Sequence, residues 1–131
     1  MLIGAAQGLS QVNDVQFLKN ALLECFTIHM RALVDFLWEP SRLREDDALA
    51  KDFFNDPNQW ETIRPKLPLV LEPIRGRTGK EIAHLTYARM TVTPETKGWN
   101  VQSMTEEAFH VLKLFIENAD ESKIGSALAN L

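Results

Sequence analysis

Arg77 and His84 are the two side chains with the most evident chemical potential in this chain, and six residues separate them. A neutral imidazole can take a proton from a ribose 2′-hydroxyl. A guanidinium can stabilise the charge that builds on the neighbouring phosphate. Such a pair suffices for metal-independent RNA cleavage through a cyclic phosphate. Arg75, Lys80 and Arg89 lie close in sequence. The Arg75–Arg89 segment is therefore where RNA, or a small anionic ligand, would be welcome. The same residues also have a purely structural reading. His84 can bond to a backbone carbonyl or to Tyr87, and Arg77 can pair with Glu81 or Glu72.

Two further patterns could carry chemistry. Glu81-Ile-Ala-His84 and Glu107-Ala-Phe-His110 are both Glu-x-x-His. Paired motifs of this kind hold two metal ions in carboxylate-bridged helical bundles. Here Glu107 and His110 fall opposite the apolar stripe of their helix, which predicts a solvated face, and neither a metal nor a cofactor is assigned. His29 lies between Phe26 and Leu33 on an apolar face. It is expected to be a core histidine with a hydrogen-bond partner, or to orient the Arg77–His84 segment from behind.

The elements that must position these groups are helical. Asp14–Trp38 carries apolar residues three or four apart, from Val15 to Leu37, with Asn13 as N-cap. Its polar strip is narrow: Asn20, Glu24, Thr27, Arg31 and Asp35. The spacing predicts a central helix, buried on most of its circumference and stopped at Pro40. Short helices follow at Asp47–Phe54 and, beginning near Pro57, around Trp60 and Ile63. Leu67–Ile74 reads as a helical turn or two. Thr78-Gly-Lys-Glu81 has the form of a capping box and predicts a helix start, running to Met90. Ser103-Met-Thr-Glu106 is a second such box, opening Thr105–Ala119 with the stripe Phe109, Leu112, Phe115, Ile116 and Ala119. The expected fold is all-α: one domain, a bundle of about five helices around the long N-terminal helix. Residues 1–12 and 121–131 are expected to be flexible.

Composition sets the limits. At 131 residues, the chain can bury roughly two-thirds of its unfolded surface. Hydrophobic residues make up 45%, which argues against wholesale disorder. With one cysteine, Cys25, an internal disulfide is impossible, and a buried thiol in a reducing, cytoplasmic setting is expected. A formal charge of −4 argues against a broad electrostatic grip on nucleic acid but not against a local basic patch. No apolar run approaches a membrane span, and Met1–Leu9 has no basic residue ahead of it and is short for a signal peptide. Ala83 and Ala88 permit close helix approach, and with the apolar first helix they predict a homodimer.

A helical bundle with Arg77, six residues, then His84 resembles the HEPN superfamily of small helical, often dimeric domains. Many of its members are endoribonucleases of toxin and defence systems. The resemblance implies that His84 is the general acid/base, that Arg77 stabilises the phosphate, and that the motifs of two subunits meet at the dimer interface. Thr78 stands where the family usually has Asn or Asp, and Gly79 lies inside the motif. Ala21–Trp38, Asp46–Phe54 and Lys80–Met90 are also similar to segments of small bacterial proteins of unassigned function. Three readings follow: a homodimeric interaction protein, a HEPN-like ribonuclease, and a carboxylate–histidine metal protein.

Overall fold

The computed structural model describes residues 1–11, 16–83, 87–91, 93 and 98–125. Among them there are six α-helices and no strand: α1 (Leu2–Gln11), α2 (Gln16–Trp38), α3 (Pro57–Ile63), α4 (Ile74–Arg77), α5 (Val101–Asn118) and α6 (Glu121–Ile124). The all-α class is thus as expected, with α2 running the length of the core.

Phe26, Met30, Val34 and Leu37 recur along one side of α2 and are all fully buried. Helix α1 packs along α2 and also touches α5. Gly8 makes the first of these contacts close, since a Cβ there would stand 3.0 Å from the Leu22 side chain. The loose N-terminus expected from the sequence is therefore a docked helix, with Ala5 in the core.

Caps set several helix starts. Asp56 accepts from the Asn58 N–H at 2.9 Å, and Pro57 begins α3, where its missing N–H costs nothing. The expected Asp47–Phe54 helix shrinks to one 3₁₀ turn, Ala50–Phe53, closed by the Asp52 carboxylate on the Leu49 N–H. Asn100, not Ser103, caps α5, accepting from the Ser103 N–H at 3.2 Å. The helix accordingly starts at Val101, ahead of the predicted Thr105.

The capping box at Thr78 does not form. Thr78 is itself helical, and α4 runs directly into a π-helical turn, Thr78–Ala83. The Thr78 hydroxyl is buried and faces the Thr27 carbonyl of α2 at 3.5 Å. Thr27 is likewise buried, its hydroxyl donating back to the Leu23 and Glu24 carbonyls. It therefore does not belong to the solvent-facing strip predicted for α2. Ile28, by contrast, is exposed.

The core is one cluster joining α1, α2, α3, α5 and the segments between them. Its densest part is aromatic. Phe115 of α5 stands among Phe36, Phe53, Phe54 and Trp60, and Trp60 stacks on Phe54 at 5.6 Å. The Trp60 and Arg64 side chains both donate to the Leu37 carbonyl, at 2.9 and 3.0 Å, satisfying the end of α2.

Asp120 ties the start of α6 to this core. Its N–H donates to Phe53 O, and its carboxylate accepts from Ser122 and Asn55. Side-chain and backbone bonds from Ser122, then the Asn55 amide, hold its carboxyl below the usual aspartate range. The stability this adds is present above the ordinary Asp pKa and lost as pH falls through the lowered folded value. The gap in urea midpoint between wild type and Asp120→Ala should therefore close as pH drops from neutral through the acid range. A gap constant with pH would contradict the assignment.

Candidate functional site

The first candidate is the α4 segment and its π-helical continuation. Arg75 reaches back from α4 to α2. Its Nε lies 2.7 Å from Asp35, and its Nη2 lies 3.0 Å from Glu39. Neither buried nitrogen meets hydrogen-bond geometry, so the link is chiefly electrostatic. Arg77 is more fully engaged. Its Nε and Nη2 grip both oxygens of Glu81 at 2.8 and 3.0 Å. Nη1 donates to Gly98 O at 3.1 Å, and the guanidinium carbon lies 4.0 Å from the Trp99 ring centroid. A guanidinium gripped in its plane by a carboxylate and covered on its face by indole is held rigidly.

This geometry fits the structural reading of Arg77. One turn of helix places it beside Glu81, and the pair clamps residues 98–99 ahead of α5. Arg75 and Arg77, two of the three arginines that made this segment attractive to phosphate, have carboxylate partners. Lys80 is exposed. His84, and the side chains of Ala83, Ala88 and Arg89, lie outside the described residues. Tyr87 is 89% exposed.

His29 is half-buried, not a core residue as expected. It sits on the flank of α2, because the fully buried face runs through Phe26, Met30 and Val34. Cys25 is also half-buried, against the buried thiol expected. Glu107 and His110 are exposed, as expected, but His110 stands beside Phe109 and Leu112 and not opposite them. Among the described residues no three His, Cys, Asp or Glu side chains gather as metal ligands. No helix among them is long and apolar enough to cross a membrane.

Two apolar surfaces emerge that residue types alone did not reveal. One is the outer face of α2. Phe17 is 76% and Ile28 49% exposed, and Ala21 and Ala32 are exposed in line with them. The other lies along α5. The predicted stripe is turned: Met104, Ala108, Val111 and Phe115 fill the core, while Phe109, Leu112, Ile116 and Ala119 are only partly buried. Phe109, Leu112 and Ile116, with Ile3 of α1, line an open groove of about 880 Å³. The periodicity of α5 carried this signal, since its apolar arc is wider than one contact face needs.

A smaller polar cleft of about 400 Å³, between α2 and residues 43–49, is lined by Arg31, Asp35, Glu39, Arg44 and Asp47 among others. Its charges are mixed and select no ligand. Comparison with protein-family models, with curated proteins and with solved structures finds no match for this chain.

Proposed function

We propose that this chain is a homodimeric interaction protein whose two copies pair through the outer face of α2. The observation that carries the reading is the order of sizes along that face. Phe17, Ala21, Ile28 and Ala32 share the exposed side of the helix, with the exposed Glu24 between Ala21 and Ile28. Residues 17 and 32, and likewise 21 and 28, are equidistant from the point between Glu24 and Cys25. An antiparallel two-fold pairing of α2 with itself therefore sets each large side chain against an alanine of the other copy. An isologous interface needs this self-complementarity, and interdigitating helices gain their packing from it. A row of exposed apolar residues on a charged surface also marks an interaction site.

Glu24 flanks the two-fold and brings two carboxylates near one another. The pairing should accordingly tighten with salt, which screens exposed like charges. Light scattering on a sizing column at tens of micromolar tests the proposal. Wild type should elute with the mass of a dimer, and Ile28→Asp with that of a monomer of unchanged helicity. A monomeric wild type, or a dimer indifferent to Ile28→Asp, would overturn it. The engaged state of Arg77 gives no comparable support to the ribonuclease reading.

A further inference from the structure

We infer that the groove along α5 is a docking site for a basic amphipathic helix of a partner protein. This inference is independent of the dimer, because the groove is built on α5 and α1 and not on the outer face of α2.

The floor of the groove is apolar, formed by Ile3, Phe109, Leu112 and Ile116. Ile3 is 49% exposed, so the floor opens to solvent. The rim is acidic. Glu106, Glu117 and Glu121 stand along it, with the exposed His110 between them. Lys113 also lies on the rim, but it pairs with Glu117 at 3.8 Å. Glu106 and Glu121 therefore carry the excess negative charge. Glu106 accepts one bond from Gln102 at 3.0 Å and remains exposed.

Shape and charge together select the occupant. From Glu106 to Glu117 the groove follows about three turns of α5, roughly 17 Å. An open trough of that length suits an amphipathic helix laying down large side chains at i, i+4 and i+7. The acidic rim asks for Lys or Arg on the flanks of that helix and repels an anionic membrane surface.

The probes are two labelled model helices with identical leucine spacing, one Leu/Lys and one Leu/Glu, read by fluorescence anisotropy. The Leu/Lys helix should bind wild type about tenfold or more tightly than the Leu/Glu helix. Ile116→Glu should weaken Leu/Lys binding by about tenfold or more. The exposed double variant Glu106→Lys/Glu121→Lys, which leaves the floor intact, should reverse the preference. Ile28→Asp should bind the Leu/Lys helix like wild type even where it abolishes the dimer. Equal affinity for the two helices, no binding of either, or an unchanged preference in the double variant would overturn the inference. Loss of the dimer in Ile116→Glu would do the same, by showing that a second copy covers the groove.

Discussion

Phe115→Ala is expected to cost about 4 kcal/mol of folding stability, in the middle of the range for removal of a buried aromatic ring. The Phe115 ring is 4% exposed and lies 5.2 Å from Phe36, 5.8 Å from Phe53, 6.0 Å from Phe54 and 5.7 Å from Trp60, centroid to centroid. All four contacts are edge-on, the arrangement that ring quadrupoles favour. Removing the ring leaves a cavity that four rigid neighbours cannot fill by small rotations. The cluster joins α2, α3, α5 and the Ala50–Phe53 turn, so the loss is global. Urea unfolding followed by far-ultraviolet circular dichroism should give the full loss, and Tm should fall by roughly 12 °C or more. Phe115→Leu should cost much less, about 1.5 kcal/mol. A loss below about 1 kcal/mol for the alanine variant would show that the cluster is not packed as described.

Arg77→Ala should be the second most damaging, at about 2 kcal/mol, because three contacts go together: the two-pronged pair with Glu81, the bond to Gly98 O and the stacking on Trp99. Arg77→Lys should recover little of this, since an ammonium has neither the fork nor the flat face. The pair is partly exposed, 25% at Arg77 and 19% at Glu81, which keeps the expected effect below that of a fully buried network. A double-mutant cycle with Glu81→Ala should return a coupling of about 1 kcal/mol. The same variant bears on the resemblance to HEPN ribonucleases. Cleavage of RNA by wild type in EDTA, lost in Arg77→Ala with stability unchanged, would give Arg77 a catalytic role in place of a structural one.

Helix caps explain much of the agreement and disagreement between sequence and structure. Pro57 was readable as a start because a proline at the first helical position acts within one turn, with no need of a partner. Thr78-Gly-Lys-Glu81, a capping box, is an equally local signal, yet both of its side chains are taken elsewhere. Thr78 turns to the Thr27 carbonyl, and Glu81 is held by Arg77. The Ser103 box is superseded by Asn100 three residues earlier. Helix α1 was missed because it is short and contains two glycines, which weaken helix propensity. Its stability comes from packing on α2, where Gly8 lets it lie close to Leu22.

From its sequence alone this chain is all-α, with long helices where α2 and α5 stand and a break at Pro40. Periodicity, caps and proline act within a turn or two, so these features need no knowledge of the rest of the molecule. Only the tertiary structure decided which way each apolar arc faces. It buried Thr27 and exposed Ile28 on α2, and it turned α5 so that Met104 and Val111 are core while Phe109 and Ile116 line a groove. It also committed Arg77 to Glu81 and Trp99. Burial and pairing depend on which neighbours arrive from distant parts of the chain, and a helical pattern defines the width of an apolar face but not how much of it those neighbours cover.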